Sequence, residues 1–319
     1  MGYNVENLFD CRHDTLKNDY EFLPDAVRHW NYFKYKKKLD AIARVIIATG
    51  KWTPPALVAL CEVENDSVLR DLTRYSVLRE AGYRYVITHS PDERASMWHC
   101  SIKEANLQIT FQPKLSGNET SQKQPPYTRY SPRQRTAFKL RHFGRICRAF
   151  SVPVRRGKSV RTVPPGSGTK IERHNRQPAP DTHPPQIIIM GDFNDYSDNK
   201  SIRKILKAGI PPTETDSLDS RTLYHLLARK GIDNKHFGSY KYQGEWGLLD
   251  HIILSGNLLM PGSPLYTAEE KADVFRAPFL LTEDRKYGDE QPFRTYYGMK
   301  YQGGYSDHLP VWAEFRLLY

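Results

Sequence analysis

Cysteine is scarce in this chain, with four among 319 residues, and no two stand at C-x-x-C spacing. A disulfide framework and a thiolate zinc site are therefore not expected. Cys61, inside "ALVALCEVEN", reads as a small buried apolar residue. Long apolar runs are missing too: none approaches the roughly 18 residues of a membrane span, and no charged-then-apolar leader is visible. The chain opens abruptly, with "MGYNVENLFD" entering a strand-like pattern within three residues. An upstream leader stays an open alternative, and localisation, cytoplasmic or secreted, is left unassigned.

What is present is a chain with enough apolar content, 39%, to build a sizeable core. Its net charge of +11 invites a nucleic-acid reading. The distribution narrows that reading, because residues 95–185 hold 17 of the 47 Lys and Arg and only 4 of the 36 Asp and Glu, a net of +13. The rest of the chain carries −2.

Two regular flanks surround that segment. On the N-terminal side "YNVENLF" alternates as a strand, and "WNYFKYKKKLDAIARVIIAT" carries an apolar stripe at helical spacing closed by Gly50. "PALVALCEV" reads as a buried strand, "DSVLRDLTRYSVLREAG" as a helix with Asp66 at its N-cap, and "YRYVITHS" as another strand. After residue 185 come strand "QIIIM", polar turn "GDFNDYSD", helix "NKSIRKILKAG", strand "WGLLDHIILS" and finally "GYSDHLPVWAEFRL". This is α/β organisation without internal repeats.

Polar residues cluster where apolar strands end: Asn4, Glu62, Asp192 with Asn194, and Asp307 with His308. Asp250 lies within "LLDHIIL", where a charge is costly unless it is partnered. Each has an ordinary explanation on its own. Asn4 and Asn194 suit turns, Asp192 a helix cap, Glu62 a surface lysine, Asp250 an arginine, and His308 a surface position. One capping hypothesis does not account for five such sites in order. Hard oxygen ligands without cysteine suit Mg²⁺ or Mn²⁺, with Ca²⁺ as an alternative, and an Asp–His pair can orient a water or stabilise charge on a phosphoryl oxygen. The chemistry indicated is phosphoester hydrolysis.

"YNVENLFD", "LCEVEN", "IIIMGDFND", "WGLLDHIILS" and "GYSDHLPV" together resemble the successive signatures of the endonuclease/exonuclease/phosphatase family, over residues 1–94 and 186–319. The resemblance implies one α/β domain over 1–319, a four-layer α/β/β/α sandwich. It also implies that Glu62, supported by Asn4, binds the metal with Asp307 beside it. Asp192 orients or activates the attacking water, Asn194 contacts the phosphate, and Asp250 aligns His308. The substrate is then a phosphoester, whether nucleic acid, phospholipid headgroup or sugar phosphate, and a monomer is expected.

Between the "CEVEN" and "GDFND" blocks the family places core strands and a further phosphate-contacting histidine. Here stand eleven of the 22 prolines and "PPYTRYSPRQRTAFKLRHFGRICRAFSVPVRRGKS". The expectation is that residues 95–185 do not supply those central strands. Permissible codons for residues 95–103, regrouped by one base, encode "GIDVALLYQ", an apolar strand. Met97 and Trp98 each have a single codon, which forces the Val and Ala of that string. Regrouping also yields "DVFVVHFPSRSGGEK" from residues 144–158 and an amphipathic helix from 159–179. A frameshifted middle segment in an inactive copy is one reading, and a basic arm of a non-catalytic nucleic-acid-binding protein is the rival.

Overall fold

The computed structural model describes residues 1–14, 19–88, 97–103, 109–112, 137–140, 147–148 and 186–318. Strand β1 (Gly2–Leu8) is followed by helix α1 (Tyr32–Thr49), strand β2 (Leu57–Val63), helix α2 (Asp66–Arg74) and strand β3 (Tyr83–Thr88). Helix α1 starts where the Asn31 side chain accepts from the Lys34 N–H and ends at Gly50, as its stripe predicts. The cap of α2 is Asn65, whose side chain accepts from the Val68 N–H, so Asp66 is its first helical residue.

In the middle segment, β4 (Met97–Lys103) pairs antiparallel with both β2 and β3. This stretch departs from the expectation of no core strand there, and its sequence shows why. Trp98, Cys100 and Ile102 alternate with His99, Ser101 and Lys103, a period of two that the neighbouring prolines obscure. β5 (Ile109–Gln112) and β6 (Ala137–Leu140) pair with each other, and β7 (Cys147–Arg148) runs parallel to β8 (Gln186–Asp192). β7, which joins the second sheet, departs from that expectation as well, and the remainder of the expectation for 95–185 lies outside the described residues. Further on come β9 (Leu223–His225), β10 (Tyr240–Tyr242), β11 (Glu245–Gly247) and β12 (Asp250–Ser255). The expected helix at "NKSIRKILKAG" is reduced to one π-helical turn over Ser201–Leu206.

Two mixed sheets form the α/β sandwich. One orders Ala272–Val274, Val311–Ala313, β1, β2, β4 and β3; the other orders β7, β8, β12 and β9. β1 packs against β8 and β12, and β2 against β8. Period-two alternation assigns the faces of the second sheet. Ile188, Met190, Ile252 and Leu254 enter the large core shared with β1, β2 and α1. Ile189 and Ile253, direct partners, enter a smaller cluster with Phe193 and Ile202 on the opposite face. Asp192 and Asp250 have the parity of the inner set, so both carboxylates point toward the first sheet. Among the described residues no helix is long and apolar enough to cross a membrane.

Candidate active site

Strand irregularities build the site. The β1–β2 register shifts between Asn4 and Leu8, and the β2–β4 register shifts between Leu60 and Val63. Glu6, Asn7, Glu62 and Asn194 all stand at positive φ (51°, 52°, 61° and 52°). Bulges of this kind re-aim side chains at the end of a sheet, and the left-handed backbone they require costs non-glycine residues on the order of 1–3 kcal/mol each. Gly191, inside β8 opposite His251, stands at φ 134° in a region open mainly to glycine.

Asn4 links the two sheets. Its Nδ2 donates to Glu62 Oε1 and to Asp192 Oδ2, both at 2.9 Å, while its Oδ1 accepts from the Glu6 N–H at 3.0 Å. Glu62 Oε2 accepts from the Asn7 N–H at 3.0 Å. Asp192 Oδ1 accepts from the Asn194 N–H at 2.8 Å, and Oδ2 also accepts from Asn194 Nδ2 at 3.2 Å. His308 Nδ1 lies 2.7 Å from Asp250 Oδ2, and its Nε2 lies 4.0 Å from Asp192 Oδ2. The Tyr240 ring packs over the imidazole at 4.8 Å. Ser306 Oγ donates to the Asn4 carbonyl at 2.7 Å and accepts from the His308 N–H at 3.1 Å, fixing the "YSDHLP" turn to β1.

All seven sequence-derived residues thus fall along one connected region. Asn4, Asp192, Asp250 and His308 are buried, Glu62 and Asp307 are half-buried, and Asn194 is exposed at the rim. Among the described residues the ordinary alternatives do not hold for Glu62, which meets no lysine, nor for Asp250, which meets His308 instead of an arginine. Asp307 meets Arg294 Nη2 at 2.9 Å.

Burial pushes the Glu62 carboxyl up to about 7, with the Asp307 charge adding to it. Burial likewise pushes Asp192 up to about 6; His308 opposes this and Asp250 reinforces it. For His308 burial works downward, but Asp250 and Asp192 outweigh it and hold the imidazole well above its usual range. The ring is therefore a cation between two acids, and its Nδ1–H donates to Asp250.

The Asp307 charge helps to raise Glu62, and oxygen donors of this type fit a hard divalent ion. Asp192, Asp250 and His308 also present ligand atoms within 4.8 Å of one another. Asp250 Oδ1 is buried with no hydrogen-bond partner among the described residues. The carboxylate oxygens of Asp192 and Asp250 fit a divalent cation in the same cleft, whereas a protonated His308 does not ligate one.

Several residues of the site escape a strand-end search. Glu6, buried on β1, accepts from the Thr295 N–H at 2.6 Å and from Arg294 Nε at 3.3 Å, and Lys38 Nζ approaches it to 3.9 Å. The periodicity of α1 carried a signal for Lys38, since it shares the buried face with Tyr35 and Ile42. A second missed group is the buried pair His225 and His251, hydrogen-bonded Nε2 to Nδ1 behind the "GDFND" turn.

The chain matches the model of the family described as "Endonuclease/Exonuclease/phosphatase family" over residues 1–316. No curated protein sequence matches it. Among solved structures it is similar to a mannosyl-6-phosphatase of Bacteroides thetaiotaomicron VPI-5482, at 12% identity and TM-score 0.45, covering 98% of this chain and 99% of that one. A 3'-5' exonuclease of Neisseria meningitidis matches at 14% identity and TM-score 0.41, over 88% and 96% of the two chains. Truncated TDP2 of Caenorhabditis elegans matches at 11% identity and TM-score 0.40, over 86% and 88%.

Proposed function

Because the chain belongs to the endonuclease/exonuclease/phosphatase family, we propose that it is a Mg²⁺- or Mn²⁺-dependent phosphoester hydrolase whose working residues are those gathered around Asn4. The observation that carries this reading is the pair of contacts placing His308 against Asp250 and within 4.0 Å of Asp192. Glu62, with Asn4 and Asp307, would hold the ion, which when bound neutralises charge on the phosphoryl oxygens.

The protein's own groups divide the remaining work. Asp192 is fixed by Asn4 and Asn194, leaving its carboxylate to accept the proton of a water attacking phosphorus. His308 presents Nε2–H toward the same space, where it can donate to the phosphoryl oxygen as charge builds. Asn194, exposed at the rim, has an amide available to the phosphate. As the ester P–O bond breaks, the leaving oxygen carries away the electron pair.

Hydrolysis of bis(p-nitrophenyl) phosphate and of nicked plasmid, with and without chelator, tests the reading. Metal-dependent turnover lost in Asp192→Asn and Glu62→Gln supports it. Salt-sensitive nucleic-acid binding carried by residues 95–185, with no turnover, supports the non-catalytic alternative. On this reading the polypeptide is also a poor catalyst as written, because its frame lacks the middle histidine. Restoring the regrouped segment is expected to raise turnover on the order of 10²–10³. Equal turnover by the two versions would remove the reason for invoking a shifted frame.

A further inference from the structure

Asp250 and His308 belong to different sheets, so the 2.7 Å contact between them depends on how the two sheets are held together. Asp250 opens β12 in the second sheet, while His308 sits in the turn that leads to Val311–Ala313 in the first. Ser306 ties that turn to β1 through the Asn4 carbonyl, which secures it to the first sheet only. One residue bonds to both sides of the pair. Ser239, just ahead of β10 and fully buried, accepts the Asp250 N–H on its Oγ at 3.2 Å and the Leu309 N–H on its carbonyl at 2.6 Å. Its own N–H donates to the Gly247 carbonyl at 3.0 Å.

The local sequence explains how Ser239 reaches all three partners. Gly238 and Gly247 approach so closely that a Cβ on Gly238 would stand 2.6–2.9 Å from the Gly247 backbone. A side chain could not pass at that distance, so the glycine pair lets the chain ahead of β10 settle against β11 and brings Ser239 to the start of β12. Tyr240 follows, directly opposite Gly247; its backbone bridges to His308 while its ring packs over the imidazole. β9 pairs with β12 only over Ile253–Ser255, which leaves Asp250 beyond that ladder, and the Ser239 hydroxyl supplies an acceptor to its buried N–H. A buried donor left without an acceptor is costly, and alanine at 239 offers none.

We propose that Ser239 is a positioning residue for the reaction: by binding the backbone of Asp250 and of the residue after His308, it sets the spacing at which the acid meets the imidazole. The inference rests on the phosphoester reading and adds to it a residue that touches neither substrate nor metal. Its hydroxyl exchanges no proton with the substrate and acts only through the two segments it joins. Loss of Oγ releases the start of β12 while the carbonyl still holds Leu309. Asp250 then moves relative to His308, and Nε2 no longer meets the phosphoryl oxygen where charge builds.

Ser239→Ala, Ser239→Thr and Ser263→Ala in the full chain test it. Ser263 also carries a buried hydroxyl, which donates to the Asn257 carbonyl at 2.6 Å outside the site, so its alanine variant controls for lost stability alone. With bis(p-nitrophenyl) phosphate and Mn²⁺, Ser239→Ala is expected to lower kcat tenfold to about 10²-fold and to leave KM nearly unchanged. Ser239→Thr, which keeps the acceptor, should recover part of that loss, and Ser263→Ala should keep the wild-type kcat. A second readout needs no turnover: the proton on His308 Nδ1, bonded to Asp250, gives a downfield proton NMR resonance, assigned by its loss in His308→Gln. It should shift or vanish in Ser239→Ala, return toward its wild-type position in Ser239→Thr, and stay in place in Ser263→Ala. An unmoved resonance in Ser239→Ala overturns the proposal whatever happens to kcat, and so does a loss of kcat that Ser263→Ala matches at equal Tm. If the wild type hydrolyses no phosphoester with any metal while the resonance moves as expected, the phosphoesterase reading falls and the spacing set by Ser239 stands.

Discussion

Asp192 and Asp250 stand directly opposite each other across β8 and β12, and both carboxylates are buried on the same face. Two like charges so placed would repel strongly without compensation. His308 supplies it from the "YSDHLP" turn, hydrogen-bonded to Asp250 and close to Asp192. Strand pairing therefore sets the electrostatics of the site before any ligand arrives.

Asp250→Asn removes the largest influence holding the His308 proton. The ring should then titrate nearer its ordinary range, so the alkaline limb of the pH–rate profile moves to lower pH. A fall in kcat on the order of 10²–10³ with little change in KM is expected. An alkaline limb that stays in place would show that Asp250 does not control His308.

Glu62 and Asp192 make metal binding dependent on pH. Burial raises Glu62 from 4.5 to about 7 and Asp192 from 3.8 to about 6, so in these windows the folded chain keeps protons that the unfolded chain has lost. Their contribution to stability is present at low pH and lost as pH rises through the folded values. A cation that takes the place of those protons opposes the loss. The rise in Tm caused by Mg²⁺ or Mn²⁺ should accordingly be small near pH 5, large near pH 8, and much reduced in Glu62→Gln. Comparing melts with and without metal at each pH cancels the other titrating groups, His225 and His251 among them. A metal-induced shift equal at both pH values would contradict this.

The strand-end residues were legible because a polar side chain closing an apolar run is anomalous without reference to anything distant. Asn4, Glu62, Asp192, Asp250 and His308 all have that form. Glu6 and Arg294 do not: they stand 288 residues apart and each looks like an ordinary surface charge, while Lys38 shows only as a charge on the apolar face of α1. Helical periodicity located α1 correctly, but over "NKSIRKILKAG" it overstated the helix. There Lys207 adopts a left-handed cap, and only one turn forms. β4 was hidden by the opposite error, in which proline-rich neighbours outweighed a short local alternation.

Lys38→Met should destabilise the fold by about 3–5 kcal/mol, because it strands the buried Glu6 carboxylate without its lysine. Burial already lowers the Lys38 ammonium to about 8, with Glu6 opposing that shift, so the two charges are mutually dependent. Adding Glu6→Gln to Lys38→Met should recover part of the loss, since the stranded charge is then gone. Urea unfolding of the wild type, both single variants and the double variant measures the coupling. Additive losses would mean that Glu6 relies on Arg294 and the Thr295 N–H alone.

His251 is expected to act on the reaction through the backbone it holds. The Leu227 N–H can only donate, so His225 Nδ1 accepts it and His225 Nε2 carries the proton given to His251 Nδ1. His251 Nε2 must then carry its own proton, which it donates to the Asp195 carbonyl at 2.7 Å. Burial favours this neutral state in both rings, pushing His251 down to about 4. The chain of bonds ends on the turn that carries Asp192 and Asn194. Its other anchors are the Asp195 carboxylate contacts with Asn199 and Ser201, at 2.6 and 2.7 Å. His251→Phe keeps a ring against Phe193 but removes the donor to Asp195 and strands the His225 proton, at a cost of about 1–3 kcal/mol. With the turn still held on its other side, Asp192 should be displaced slightly and remain present. Displacements of that scale lower kcat by tenfold to about 10²-fold and leave KM nearly unchanged. His251→Gln restores a donor on a side chain of similar reach and should recover part of both losses. Recovery of stability without any recovery of kcat would confine the pair to a structural role.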